Sequence, residues 1–168
     1  MSTTSTFRIP VANLLRRPGA SRAVQVEGVL DVRGPGAEVT ADRPIAVDLT
    51  LERVSEGMVV RGTVTAPWDA ACSRCLAPVG GELSVQVGEL YERQPLEGET
   101  YLLSEDDIVD LEPLIRDALL LELPAVPVCR PDCRGLCPAC GVDHNLTTCE
   151  CDNREPDPRW AALRSLDL

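Results

Sequence analysis

The sequence predicts an α+β fold: an antiparallel β meander or partly closed barrel, one packing helix and a Cys-rich C-terminal tail. Segments of alternating apolar and polar residues, separated by turn residues, fill most of the first 92 positions. One later segment, residues 111–123, has the apolar spacing of a helix. Six of the eight cysteines then fall between residues 129 and 151.

The N-terminal segment is predicted to be folded structure. Residues 1–23 are rich in Ser, Thr and Arg, and no acidic residue precedes Glu27, a composition shared with organelle transit peptides. However, "FRIPVANLL" (7–15) has its own apolar pattern and is followed by a Pro-Gly turn. We find no secretory signal and no apolar run near the ~18 residues of a membrane span, so we expect a cytoplasmic protein without a membrane partner.

Four alternating segments predict the strands of the sheet. They cover residues 23–33, 44–54, 58–72 and 82–92. Turns are predicted at "GPG" (34–36), "SEG" (55–57) and "PVGG" (78–81), because Gly and Pro interrupt regular structure there. Gly62 within the third segment suggests a β-bulge. Tight turns between successive strands are typical of an antiparallel meander.

The predicted helix over 111–123 has a defined beginning and end. Asp110 is positioned as N-cap, and Pro113 falls in the first turn, where proline is tolerated. Glu112 and Arg116 form an i,i+4 pair, and Pro124 ends the helix. Its apolar face is predicted to cover the sheet and comprises Leu111, Leu114, Ile115, Ala118, Leu119 and Leu123.

These patterns divide the chain into a β-rich core with its packing helix, residues 1–126, and a tail, residues 127–168. The tail is rich in Cys, Pro, Asp and Gly and has too little apolar surface to order itself. A bound metal is the usual device for ordering such a module. "DPRWAALRSLDL" (157–168) predicts a short terminal helix with Trp160, Leu163 and Leu166 on one side.

The cysteine spacing predicts a zinc-stapled tail. Two C-x2-C pairs, "CSRC" and "CPAC", have the form of zinc knuckles, and Gly141 allows a tight turn beneath the second. Disulfides are disfavoured because cytosolic thiols are kept reduced. The candidate metal ligands are Cys72, Cys75, Cys129, Cys133, Cys137, Cys140, Cys149 and Cys151.

Two ligand arrangements are compatible with this spacing. In the first, one ion is held within the tail by Cys133, Cys137, Cys140 and either Cys149 or Cys151. In the second, the pairs of "CSRC" and "CPAC" share one ion, and the remaining thiols hold another. Either site would be closed by four thiolates and therefore structural.

Other chemistries fit the same residues less well. "CPAC" resembles a redox dithiol, but the parallel βαβ unit that carries such motifs is not predicted here. The spacing does not match iron–sulfur ferredoxins. The acidic segment 105–112 suggests a magnesium site of a nuclease or hydrolase, although a charge run is usually a solvated linker. The lone histidine, His144, is interpreted as a bystander.

The formal net charge of −11 predicts basic partners. All 16 basic residues are arginine, and an acidic surface repels nucleic acid overall while attracting basic proteins. The exception is the N-terminus, where Arg8, Arg16, Arg17 and Arg22 indicate either a local contact with RNA phosphates or a solvated basic edge. Arg74, within "CSRC", is a further candidate for facing RNA.

The chain resembles a known family in three stretches. "CSRCLAPV", "DLEPLIRDALLLELPAVPVCRPDCRGLCPACG" followed by "N" and "CEC", and "DPRWAAL" are similar to YceD-type large ribosomal RNA subunit accumulation proteins. The resemblance implies a non-enzymatic bacterial cytosolic factor for accumulation or processing of the large-subunit rRNA. The acidic surface then favours a basic ribosomal or rRNA-processing protein as its partner. Members of that family differ in their thiols, which implies that zinc stabilises the fold and is not the shared chemistry.

Overall fold

The computed structural model describes residues 6–95, 99–151 and 159. The predicted terminal helix, with Trp160, Leu163 and Leu166, lies outside the described residues. The elements are β1 (Arg8–Pro10), α1 (Ala12–Leu15), β2 (Ser21–Gly28), β3 (Val32–Arg33), β4 (Ala37–Val39), β5 (Ile45–Arg53), β6 (Met58–Ala71), β7 (Pro78–Glu92), β8 (Tyr101–Leu102), β9 (Ile108–Asp110) and α2 (Glu112–Glu122).

The predicted fold class is confirmed: most of the structure is an antiparallel sheet curled into a half-barrel, with one long helix packed on it. Strand β6 is the centre of the sheet. Strand β7 pairs along all of one edge of β6, while β5 and β4 share the opposite edge. β2 extends the sheet beyond β5, so β5, β6 and β7 form the predicted meander.

Alternation along the strands produces the core. In β5, every second side chain is buried, which gives Ile45, Val47, Leu49 and Leu51 to the interior. The residues between them face outward, as the two-residue period of a strand requires. Within the described residues, no helix is both long and apolar enough to cross a bilayer.

Three glycines, Gly62, Gly80 and Gly81, lie within strands and form neither the turn nor the bulge that the sequence predicted for them. The turn predicted at 78–81 is wrong, since Gly80 and Gly81 lie within β7, and the hairpin turn is formed by the cysteine segment before it. A Cβ at Gly81 would lie only 3.1 Å from Nε1 of Trp68, so glycine leaves room for the indole. Gly62 causes no bulge, because its register with both neighbouring strands is continuous. Glycine is required at this position for two other reasons. Its φ is +147°, and a Cβ added at residue 62 would lie 2.2 Å from the carbonyl oxygen of Asp48.

The helix forms nearly where the periodicity predicted it. It begins at Glu112 and ends at Glu122, and Leu114, Ile115 and Leu119 are buried in the core. The N-cap is Leu111, and Asp110 instead accepts a hydrogen bond at Oδ1 from the N–H of Glu112, at 3.1 Å. Leu123, in extended conformation, caps the other end.

Residues 6–23 of the N-terminal segment are folded, as the apolar pattern of 7–15 predicted. β1 pairs with β9 in an antiparallel two-stranded sheet, with Arg8 opposite Asp110. The acidic stretch is therefore not a loose linker, because it contains β9 and the turn before it. In that turn Asp107 has a φ of +58° and its carboxylate pairs with Arg93.

Candidate metal centre

Four cysteines from two distant parts of the chain meet in what we call the proximal cluster: Cys72, Cys75, Cys129 and Cys133. The first two lie in the hairpin turn between β6 and β7, and the other two follow α2. Cys72 and Cys133 are buried, whereas Cys129 is exposed. The cluster therefore joins the sheet to the tail.

The other four cysteines form the distal cluster: Cys137, Cys140, Cys149 and Cys151. All of them belong to the tail, and only Cys137 is buried. Gly141, with a φ of +75°, follows the C-x2-C pair, and its N–H donates to the carbonyl of Cys137 at 2.8 Å. This is the tight turn that the sequence predicted at "CPACG".

The sulfur positions fit a tetrahedral metal ion. Within each cluster the four Sγ atoms lie within 4.8 Å of one another. Sγ of Cys72 is 3.9 Å from that of Cys133, and Sγ of Cys75 is 3.7 Å from that of Cys129. A tetrahedron with Zn–S bonds of ~2.3 Å has sulfur–sulfur edges of about 3.8 Å. A disulfide bond would need about 2.05 Å, and none of the eight cysteines forms one.

Backbone geometry prepares Cys72 as a thiolate. Two backbone hydrogen bonds close the hairpin turn. The N–H of Cys72 donates to the carbonyl of Ala77 at 2.8 Å, and the N–H of Leu76 donates to the carbonyl of Cys72 at 2.9 Å. Backbone N–H groups, that of Cys75 first and that of Arg74 next, lower the pKa of the Cys72 thiol to about 6. The turn therefore favours the thiolate of Cys72, which is the form that binds metal.

Crowding has the opposite effect on other thiols. Although Cys129 as a residue is exposed, partial desolvation of its thiol, then the neighbouring thiols of Cys133 and Cys75, raise its pKa to about 12. In the distal cluster, Cys140 and Cys149 raise the pKa of Cys151 to about 12. Four adjacent thiolates repel one another, and a divalent cation among them removes that repulsion. Both the four thiol donors and the tetrahedral sulfur distances of each cluster therefore suit a divalent metal ion.

The tail is also hydrogen-bonded to the hairpin turn through Arg74. Its carbonyl accepts from Leu136 N–H at 2.9 Å. Its guanidinium donates to the carbonyls of Pro131 and Cys133, at 3.1 and 2.9 Å. Both of these bonds come from Nη1, and Arg74 is an exposed residue, so its contact with RNA stays a prediction.

Asn145 is a supporting residue that the sequence analysis did not single out. Its side-chain N–H donates to Sγ of Cys133 at 3.4 Å, and its Oδ1 accepts from the backbone N–H of Arg134 at 2.9 Å. Burial raises the pKa of Cys133, but the N–H groups of Asn145 and Gly135 outweigh burial and lower it overall. His144, next to it, belongs to neither cluster.

The grouping of sulfurs differs from both arrangements considered from the sequence. Cys133 joins the hairpin pair and not "CPAC", and the two C-x2-C pairs lie in different clusters. Each C-x2-C pair faces a second pair of thiols, an arrangement unlike an isolated redox dithiol. In the described part of the chain, the acidic segment 105–112 does not form a third group with metal-binding spacing.

The part of the chain that contains both clusters matches a known protein family. A protein-family model described as "Large ribosomal RNA subunit accumulation protein YceD" matches residues 60–167. The chain belongs to the YceD family. The matched residues include most of β6, all of β7 and α2, and all eight cysteines.

Relatives within and beyond bacteria agree with this assignment. An uncharacterized protein of Mycobacterium tuberculosis is 42% identical over 171 residues, which cover 95% of this chain and 80% of that protein. The uncharacterized protein YlbN of Bacillus subtilis is 28% identical over 123 residues, 71% of this chain and 69% of its own length. "Large ribosomal RNA subunit accumulation protein YCED homolog 1, chloroplastic" of Arabidopsis thaliana is 33% identical over 58 residues, 34% of this chain and 18% of its own length. No solved structure matches the chain.

Proposed function

We propose that this protein is a non-enzymatic factor for biogenesis of the large ribosomal subunit, acting in the accumulation or processing of large-subunit rRNA. The observation that carries this proposal is the match of the YceD family model over residues 60–167. The plant relatives in Arabidopsis thaliana and Zea mays carry the same functional description. We place its site of action in the cytoplasm, where bacterial ribosomes are assembled.

The test is the ratio of the two rRNAs in cells that lack the protein. We expect large-subunit rRNA to fall relative to small-subunit rRNA, because a subunit that is not assembled leaves its RNA exposed to degradation. The ratio is measured by electrophoresis of total RNA and should be restored by a plasmid copy of the unmodified gene. An unchanged ratio during rapid growth would reject the assembly role.

Both clusters are proposed to hold zinc with a structural role. Four thiolates leave no coordination position for substrate or water, which is the mark of a structural site. Soft thiolate ligands in a tetrahedral arrangement favour zinc over magnesium or calcium. The proposed ligands are Cys72, Cys75, Cys129 and Cys133 for one ion and Cys137, Cys140, Cys149 and Cys151 for the other.

The role of Asn145 gives a test of the proximal zinc site. Asn145→Ala removes the hydrogen bond to Cys133 and should lower the zinc affinity of that cluster by roughly 10- to 100-fold, the usual effect of losing a group that orients a ligand. Competition with a chromophoric chelator measures the affinity. His144→Ala is the control, because this side chain belongs to neither cluster. Equal zinc retention in the two variants would show that Asn145 does not support the site.

The partner is proposed to be a basic ribosomal or rRNA-processing protein. The net charge of −11 makes the chain attractive to a basic protein and accelerates encounter. A local contact with rRNA is proposed only for the N-terminal arginines. Nε of Arg8 lies 3.9 Å from a carboxylate oxygen of Asp110, and Nη2 of Arg22 donates to the carbonyl of Pro10 at 3.1 Å. The exposed Arg16 and Arg17 are therefore the better candidates for contact with rRNA.

A further inference from the structure

One long edge of the sheet is open. β7 pairs with β6 from Pro78 to Tyr91, but on its other side it pairs only with β8, at Tyr91 and Glu92. Among the described residues, no strand covers the stretch from Pro78 to Leu90 on that side. An uncovered strand of this length is a template for an added strand.

The backbone groups at this edge can be assigned from one hydrogen bond. Leu103 N–H donates to the carbonyl of Glu92 at 2.9 Å, so the polar groups of Glu92 point away from β6. Because a strand alternates in the direction of its N–H and C=O groups, those of Leu90, Gly88 and Gln86 point the same way. The parallel register of Tyr91 with Tyr101 already uses the carbonyl of Leu90. Among the described residues, the N–H of Leu90 and both polar groups of Gly88 and Gln86 are left for an incoming strand.

A narrow groove, lined in part by apolar side chains, runs between this edge and the helix. It measures about 170 Å³ and is lined by Val85 and Val87 of β7 and by Leu114, Ala118 and Leu121 of α2. Leu121 is 86% exposed, although the side chains around it belong to or adjoin the core. A side chain entering the groove from an added strand would bury this leucine.

The groove is rimmed by carboxylates. Glu89, Asp117 and Glu122 line it, and Glu89 and Asp117 also line an adjoining cavity with Glu99. Among the described residues, no arginine lines either cavity. Arg116, on the same helix, is paired with Glu112 at 3.0 Å. The local charge is therefore negative.

We propose that an extended basic segment of a protein partner binds here as an added strand. Its backbone would pair with the edge of β7, its alternate apolar side chains would enter the groove, and its Arg or Lys side chains would meet the carboxylates. This inference rests on the proposed function, whose partner it specifies. A second copy of this chain is disfavoured as the added strand. It would place the same carboxylates, on a chain of net charge −11, against the negative edge.

The first test blocks the edge without changing charge. The probe is a dye-labelled peptide of about nine residues that alternates valine and arginine, long enough to span the groove as a strand. Gly88→Pro removes an edge N–H, and Gly88→Ala is the matched control, because a Cβ at this position meets no atom within 4 Å. We expect Gly88→Pro to weaken binding about tenfold or more, and Gly88→Ala to bind as the unmodified protein does.

A second pair of variants tests the groove separately. Leu121→Gln should weaken peptide binding, whereas Leu146→Gln should not, since the two leucines are equally exposed, at 86% and 85%, but only Leu121 lines the groove. A valine–glutamate peptide should not bind, and salt should weaken the arginine peptide. In amide NMR spectra the shifts should concentrate at Gln86, Gly88 and Leu90.

Several results would overturn the inference. Equal binding by Gly88→Pro and Gly88→Ala, together with equal binding by the two leucine variants, would show attraction by charge alone. Edge amides already protected from exchange in the free protein would show that the chain itself or a second copy covers the edge. Shifts at the same amides with an RNA oligonucleotide but not with the peptide would assign the edge to RNA. If the rRNA ratio falls in cells lacking the protein but Gly88→Pro restores it fully, the docking inference fails while the assembly role stands.

Discussion

Removal of metal is expected to disorder the chain from about residue 129 onward while the sheet persists. The tail has few buried apolar side chains other than its cysteines, and structural zinc contributes on the order of 10 kcal/mol to the folding of small modules. β5, β6 and β7 remain paired because their core does not include the tail. Residues up to Pro127 should also stay in place, since Pro127 is buried and its carbonyl accepts from Ser73 N–H at 2.8 Å.

Elemental analysis and amide exchange together check this expectation. Protein purified without chelator should contain two zinc ions per chain, one for each cluster. After treatment with a strong chelator, amide protection should be lost in residues 129–151 and retained in β5 and β6. Absence of zinc in the purified protein would reject the metal assignment. Loss of protection throughout the sheet would show that the proximal cluster stabilises the core as well as the tail.

Single serine variants should separate the two clusters. Cys133→Ser removes a buried ligand of the proximal cluster and should release the tail from the β6–β7 hairpin. Cys149→Ser should affect only the distal cluster, so the region around Cys129 and Cys133 keeps its protection. If both variants lose both zinc ions, the two sites fold as one unit.

The parts of the fold that local pattern determines were predictable from the sequence. The strict alternation of Ile45, Val47, Leu49 and Leu51 defines one buried face of β5, and no other structure buries those four side chains together. The same reasoning located α2 to within one residue at each end. The N-cap was less predictable. The capping position is held by Leu111, while Asp110, one residue before it, accepts the hydrogen bond from the N–H of Glu112.

Features that depend on distant contacts were not predictable. Spacing predicts that "CSRC" and "CPAC" each supply two metal ligands, but the second pair of thiols that each one faces is set by the path of the chain after α2. That path brings Cys129 and Cys133 beneath the hairpin, where Arg74 bonds the carbonyls of Pro131 and Cys133. The glycines at 80 and 81 gave a turn signal for a similar reason, since the sequence does not reveal that Trp68 lies opposite Gly81 in the neighbouring strand.

Leu119→Asp is expected to prevent soluble folding, because Leu119 lies at the centre of the helix–sheet contact. Its side chain is 0% exposed, on the face of α2 that also buries Leu114 and Ile115. Replacing a buried leucine with a smaller side chain costs about 2–5 kcal/mol, and burying an unpaired carboxylate adds several more. The sum is comparable to the whole stability of a domain, about 5–15 kcal/mol.

The measurement is the soluble yield and the urea midpoint of three variants of the same helix. Leu119→Ala should remain folded and lose about 2–5 kcal/mol of unfolding free energy, since it creates a cavity without a charge. Leu121→Asp places the same carboxylate at a side chain that is 86% exposed, and its stability should be nearly that of the unmodified protein. A soluble Leu119→Asp variant with an unchanged midpoint would mean that α2 does not pack on the sheet through this face. Insolubility of Leu121→Asp as well would mean that added negative charge on the helix, and not burial, is what the fold does not tolerate.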